Sequence, residues 1–339
     1  MPDLIWNDDA DRLRGELRRP LLLLAFEGLF DAAEAATTAL DSIRVNSRST
    51  DIAEIDPEGF FNFQETRPTV SFDNDGERRI SWPTTRVTVC QTDDARDLVV
   101  MTGIEPHMRW KTFADQIIDV ARRTGAEMVV TVGAMVSMVP HTRPFAITGS
   151  SGDPELADRL GLDRPSYQGP TGVVGVINQR VGDMGIPIIS LRVAVPHYVP
   201  GPPNPKAMQA LLRRLEQTSG VSTGYEDLDS EVTQWMNRVD EAVKSDPESN
   251  DYVERLERQV DSDEEMLPTG DDLAAELEAF LREQKPSEDD SSSSEDPAGP
   301  AASDDPTAAD DSGAGESGDG KSGEGTDSDS GSDGDSDSD

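Results

Sequence analysis

Three predominantly apolar runs constrain this chain more than any other feature: Leu98–Ile104, Met128–Val139 and Ile188–Val195. Strands buried on both faces of a parallel sheet read as continuous Val, Ile, Leu and Met. Each run is closed within a few residues by a Pro-His pair, at Pro106-His107, Pro140-His141 and Pro196-His197. Proline ends a strand because it has no N–H for the ladder. These pairs hold all 3 histidines of the chain. In an open α/β sheet, ligands bind beyond the carboxyl ends of the strands. If the runs are parallel neighbours, the histidines share one rim, and that rim is the expected site. The pattern points to a place and leaves the reaction open.

The surrounding sequence supplies the rest of such a sheet. Leu21–Phe26 reads as another buried strand, broken by Gly28, with Asp31 placed to cap a helix over Ala32–Ser42. Thr69–Phe72 and Arg78–Trp82 flank Asp73-Asn74-Asp75-Gly76, a hairpin signal. Arg86–Gln91 reads as a strand. Thr112–Thr124 spaces Phe113, Ile117, Val120 and Ala121 on one helical face and stops at Gly125. The span Pro140–Pro170, rich in Gly, Pro, Ser and Asp, reads as a long loop with a short helix at Pro154–Leu160. Helices follow at Thr171–Met184 and, capped by Asn204, at Pro205–Gln217. Alternation of strand and helix from Leu98 to Gln217 predicts a parallel sheet with helices on both faces.

After Gly220 the texture becomes polar with apolar positions at helical spacing. Val232, Trp235, Met236 and Val239 form one stripe, and Tyr252, Val253, Leu256 and Val260 another. Leu273–Arg282 continues the pattern. The expected division is a core over 1–220, a helical appendage over 221–285 and a tail over 286–339. In that tail every residue except Lys321 is Asp, Glu, Ser, Gly, Ala, Pro or Thr. Such a composition buries too little apolar surface to offset the entropy of ordering, so a disordered acidic tail is expected.

The net charge of −38 argues against nucleic acid as a direct partner, since phosphate binding needs clustered Lys and Arg. A single cysteine, Cys90, excludes an intrachain disulfide and a Cys-based zinc site, and its place in a strand reads as a buried inert thiol. Leu21–Phe26 falls far short of the roughly 20 apolar residues a membrane span needs, and no cleavage signal follows. A cytoplasmic protein with no membrane association is expected.

The expected cleft is lined by Glu27, Gly28, Glu105, Arg109, His141, Thr142, Arg143, Gly169, Thr171, Gly172, His197 and Tyr198, each just past a strand end or at the opening of the Thr171 helix. Gly169-Pro170-Thr171-Gly172 could seat an anion on free helix N–H groups, with Arg143 adding positive charge. The plainer reading is a helix entry capped by Thr171. It lacks the dinucleotide fingerprint and the phosphate-loop lysine. A three-histidine metal site is conceivable, but no two histidines share a helix face. A Glu–Arg pair holding the rim together is favoured over an acid–base pair of carboxylates. No nucleophile elbow, CxxC or HExxH occurs, so enzymatic activity is not indicated, and no cofactor is identified.

Five colinear stretches resemble the bacterial, and especially the actinobacterial, branch of the proteasome assembly chaperone 2 family. They are Leu22–Leu40, Gly103–Phe113 (GIEPHMRWKTF), Val132–Gly149 (VGAMVSMVPHTRPFAITG), Tyr167–Val176 (YQGPTGVVGV) and Ala194–Leu215 (AVPHYVPGPPNPKAMQALLRRL). GDDLAAELEAFLR from Gly270 resembles the family's closing helix. The resemblance implies a three-layer α/β/α sandwich with a mixed sheet like that of phosphorylases and peptidyl-hydrolase relatives, plus a helical C-terminal appendage. It implies a chaperone-like or partner-binding role, with proteasome components as candidate partners. With the apolar stripes after Gly220, it also implies a homo-oligomer, first of all a trimer. In the family the position of His107 more often carries an acidic residue, which counts against the metal reading. The archaeal chaperone's docking tail ends in a hydrophobic-Tyr-X motif, whereas this chain ends Ser336-Asp337-Ser338-Asp339. Bacterial members are also labelled ATP-grasp carboligases, but this sequence lacks the phosphate-loop lysines and paired metal-binding carboxylates of such enzymes. The alternative is a small-molecule enzyme of phosphorylase or hydrolase type using the same cleft.

Overall fold

The computed structural model describes residues 3–265. In chain order the elements are β1 (Leu4–Trp6), α1 (Asp9–Arg14), β2 (Leu21–Glu27), α2 (Ala35–Asn46), β3 (Arg48–Ile55), β4 (Thr69–Phe72), β5 (Arg78–Ser81), β6 (Thr85–Gln91) and β7 (Leu98–Ile104). They continue with α3 (Trp110–Thr124), β8 (Met128–Ser137), β9 (Ile147–Ser150), α4 (Pro154–Leu160), α5 (Val173–Asp183), β10 (Ile188–Pro196), α6 (Pro205–Ser219), α7 (Asp229–Lys244) and α8 (Pro247–Glu265). The closing helix read over Leu273–Arg282 and the acidic tail lie outside the described residues.

Eight strands form one mixed sheet in the order β1-β3-β6-β7-β2-β8-β10-β9. Its centre, β7-β2-β8-β10, is parallel, with Leu22 opposite Val99, Leu21 opposite Met128 and Ile188 opposite Val129. The flanking pairs are antiparallel. The apolar run Leu21–Phe26 of β2 shows why a continuous run is needed here. Leu21, Leu23 and Ala25 enter the core beneath α2 and α6. Leu22, Leu24 and Phe26 enter the opposite core with Phe113 and Ile117 of α3 and Ile177 of α5. Successive side chains point to opposite faces, so one strand serves both layers of an α/β/α sandwich. Each buried leucine contributes roughly 1.5–3 kcal/mol.

Several elements depart from the sequence reading. The chain forms β1, α1 and β3 where no regular element was expected. In β3 the sequence RSTDIAEI buries only Ile52, Ala53 and Ile55, and a bulge shifts its register between Asp51 and Ala53. The alternation that marks a half-buried strand is therefore broken. The long loop after Pro140 contains β9, a short edge strand antiparallel to β10. Helix α2 starts at Ala35, because Ala33 and Glu34 adopt left-handed φ values of 57° and 50°. Asp31 still caps it, accepting from Ala36 N at 2.7 Å. Cys90 is buried, and burial pushes its thiol up to about 12.

The apolar stripes after Gly220 pack within the chain. Trp235 and Val239 join the core under α6, and Val253 and Leu256 are buried. They do not form an exposed patch, so they give no argument for a second copy. No helix among the described residues is long and apolar enough to cross a membrane.

Candidate functional site

Because β7, β2, β8 and β10 run parallel, their carboxyl ends meet at one edge of the sheet. Most of the sequence-predicted residues sit along that edge in two clusters with different partners, and Glu27, Arg109, Gly169 and Thr171 belong to neither.

The first cluster joins Gly28, Glu105 and Gly172. Glu105 follows β7, and its backbone N–H donates to the Glu27 carbonyl at 2.8 Å. Its Oε2 accepts from Leu29 N and its Oε1 from Val173 N, both at 3.3 Å. The anion at the α5 N-terminus is thus the protein's own carboxylate, placed where free N–H groups and the helix dipole favour negative charge. Both glycines are needed for its approach. A Cβ on Gly28 would stand 2.8 Å from Oε2, and one on Gly172 3.2 Å from Oε1. Gly28 also has φ +145°, a region that residues with a side chain rarely enter.

Thr171 does not cap this helix. Gly172 occupies the cap position without a side-chain bond, and the Thr171 side chain lies over Gly175 instead. Gly169 lies on the exposed segment before it, where the Tyr167 hydroxyl donates to the Pro170 carbonyl at 3.0 Å.

Three further residues point elsewhere. Glu27 faces a separate cleft of about 250 Å³ shared with Asp41, Arg44, Trp82 and Arg86. Partial burial, then the charges of Glu34, Asp31 and Asp41, raise its carboxyl above the ordinary range. Arg109 does not pair with a rim glutamate. It forms a bidentate pair with Asp3 at 3.0 and 2.8 Å and lies over the Phe60 ring. His107 accepts from Asn62 N at 3.0 Å and contacts Thr66 Oγ1 at 3.3 Å. The three histidines therefore do not converge.

The second cluster gathers His141, Thr142, Arg143, His197 and Tyr198, and every one is engaged by α7 or α8, or by a neighbour that is. His141 is 1% exposed. Its Nδ1 accepts from the Tyr198 hydroxyl at 2.7 Å, and its Nε2–H donates to Asp240 Oδ1 of α7 at 2.9 Å. This proton assignment follows from the ionised acceptor at Nε2. The Tyr198 oxygen also accepts the His141 backbone N–H at 2.7 Å.

From α8, Glu257 accepts the Thr142 hydroxyl, and Asp261 takes Arg143 in a fork at 2.7 and 2.8 Å. The Tyr252 hydroxyl donates to His197 Nε2 at 3.1 Å, while His197 Nδ1–H faces the Ser137 carbonyl. Lys206 donates to the carbonyls of His141 and Arg143, closing the loop from below.

The electrostatics follow from burial. Burial lowers His141 despite Asp240, lifts Tyr198 to about 12 and brings Lys206 down to about 8. At Asp240 burial pushes upward, but hydrogen bonds from His141 and Lys244 outweigh it and leave the carboxyl low. Tyr198, His141 and Asp240 are ordered like a proton relay. Both ring nitrogens of His141 are occupied by protein groups, however, so neither is open to take a proton from a bound molecule.

Asp240, Tyr252, Glu257, Asp261 and Lys206 were missed in the sequence. A signal existed for two of them. Glu257 and Asp261 fall on the helical face of Val253, Leu256 and Val260, and acids on a buried stripe demand donors across the interface.

The same edge exposes apolar side chains. Met108 follows β7, Leu29 follows β2, Met135 and Val136 lie at the end of β8, and Met138 follows it. Leu29 is 76% exposed and Met138 62%.

A family model described as the PAC2 family matches residues 25–243. A PAC2 family protein from Streptomyces avermitilis is 41% identical over 69% of this chain and 99% of its own, with a TM-score of 0.65. A Mycobacterium tuberculosis proteasome-assembly chaperone homologue is 37% identical over the same shares, with a TM-score of 0.63. An archaeal proteasome activator from Pyrococcus furiosus shares the fold at 13% identity, covering 71% of this chain and 99% of its own, with a TM-score of 0.55. No curated protein matches the chain.

Proposed function

Since the chain belongs to the PAC2 family, we propose that it is a cytoplasmic, chaperone-like protein that docks a partner on the apolar carboxyl edge of its sheet. One observation carries this reading. The polar side chains of Glu105, His141 and Arg143 are bonded within the chain, while Leu29, Met108, Met135, Val136 and Met138 face solvent. Apolar side chains gathered at one edge mark an interaction surface. A phosphorylase- or hydrolase-type enzyme at this edge would need uncommitted polar groups, and His141, Arg143, His197 and Glu105 are all engaged.

Proteasome components are the partner class we propose, because the mycobacterial relative is a proteasome-assembly chaperone homologue. A homo-oligomer, with three copies the first expectation, belongs to the same proposal. Its support is the β4–β5 hairpin, all of whose strand residues are exposed. Val70 stands opposite Ile80 there, and Phe72 and Trp82 share their face by the two-residue repeat. A two-stranded hairpin alone is marginally stable in water.

The test is sedimentation of the full chain alone and with purified proteasome subunits. We expect co-sedimentation that Leu29→Asp with Val136→Asp weakens about tenfold without moving the unfolding midpoint. Failure of the parent chain to bind, or equal binding by the variant, overturns the reading. A mass of one chain at micromolar concentration ends the oligomer proposal.

A further inference from the structure

Beside the second cluster, α7, α8 and the segment 198–203 surround an open groove of about 750 Å³. Its walls are apolar: Val199, Pro203, Trp235, Val239, Tyr252 and Val253. Small-molecule sites span roughly 300–1,000 Å³ and combine such walls with a few placed polar groups.

The walls are held in place before anything binds. Trp235 is 3% exposed and stands edge-on to Phe145 and His141. The hydroxyl of Tyr252 is bonded to His197, and that of Tyr198 to His141. Both tyrosines therefore present rings to the groove, with their hydroxyls already engaged.

Arg238 and Arg255 also line the groove. Among the described residues Arg238 has no hydrogen bond or ion pair, and Arg255 only stacks over the Tyr252 ring at 5.4 Å. Two carboxylates share the lining. Asp246 is engaged in capping α8, accepting from Glu248 N, Ser249 N and the Ser249 hydroxyl. Those hydrogen bonds keep Asp246 ionised, so the lining balances two guanidiniums with two carboxylates, of which Asp246 already spends its oxygens on α8.

We infer that this groove binds a small amphiphilic anion, an acyl or aryl body with one carboxylate, its body along Val199, Pro203 and Tyr252 and its charge toward Arg238 and Arg255. Burial of the body supplies affinity in proportion to the apolar area removed from water. The two guanidiniums select for the charged head through charge-assisted hydrogen bonds. Its lining includes none of the exposed apolar residues proposed for docking, so either proposal can fail without the other.

Decanoate is the probe, titrated into the full chain and followed by calorimetry and by tryptophan emission, with Trp235→Phe as the spectroscopic reference. We expect saturation with one decanoate per chain at a Kd below about 1 mM. Decanol, the same body without charge, should bind about tenfold more weakly, and Arg238→Glu with Arg255→Glu should weaken decanoate by a similar factor. Both arginines are exposed, so the unfolding midpoint should stay in place. Ala242→Trp, which fills the groove, should abolish binding in a chain that keeps its circular dichroism. Equal binding of decanol and decanoate overturns the inference, as does indifference to charge reversal or an absence of saturable binding. So does a second copy in the groove, seen as a dimer that Ala242→Trp returns to one chain.

Discussion

The two halves of the carboxyl edge solve one problem in different ways. Beyond β7 and β2, a carboxylate is satisfied by backbone N–H groups that the strand–helix frame brings to it, with Gly28 and Gly172 making room for Glu105. Beyond β8 and β10, His141, Thr142, Arg143 and His197 are satisfied by side chains about 55 to 118 residues later, on α7 and α8. The first half is set by the sheet together with the N-terminus of α5. The second is complete only when the helical hairpin docks. An edge that looks like a ligand cleft in sequence can therefore be the seat of the chain's own appendage.

The largest effect should come from the buried bolt of the second half. His141→Ala leaves the Tyr198 hydroxyl and the Asp240 carboxylate without their partner, and should cost about 3 kcal/mol. Denaturant unfolding measures it, and a loss below about 1 kcal/mol would remove the contrast between the halves.

In the first half, Gly28→Ala forces a side chain onto φ +145° against Glu105. About 2 kcal/mol is expected, read in the same denaturant series, and a neutral result would mean the glutamate is not held as described. Arg143→Ala should cost only about 1 kcal/mol, because the Arg143–Asp261 fork is part-exposed and screened by solvent. Its thermal midpoint should move less than that of His141→Ala.

The smallest effect is a pH slope. Burial holds His141 below its ordinary value of 6.5, so the folded state binds fewer protons than the unfolded one as pH falls past that value. The stability involved is present above pH 6.5 and is lost progressively as pH drops through the lower folded value. His141→Gln should flatten this segment of the stability curve, and an unchanged slope would assign the acid sensitivity to other groups.

How much of this was legible depended on whether partners were local. The apolar runs placed β2, β7, β8 and β10 correctly, since burial on both faces leaves a signature in each strand. The edge positions of Glu105, His141 and His197 followed from strand ends. What escaped was the identity of the partners. Nothing near Arg143 announces Asp261, and nothing near Glu105 announces the N–H of Val173. Strand β3 escaped for another reason, because its bulge and polar residues break the alternation that marks a strand. Arg109 was misassigned because its bidentate partner, Asp3, lies on an N-terminal segment that carried no strand signal.

The central claim is that the β8–β10 edge is held by the helical hairpin through side-chain contacts, with His141 and Asp240 at their centre. A double-mutant cycle on these two residues, His141→Gln and Asp240→Asn singly and together, tests it most directly by chemical denaturation of the full chain. The account predicts a coupling energy of about 1.5 kcal/mol or more, because the bond links a buried ring to an ionised carboxylate. Additive losses within about 0.3 kcal/mol would contradict it.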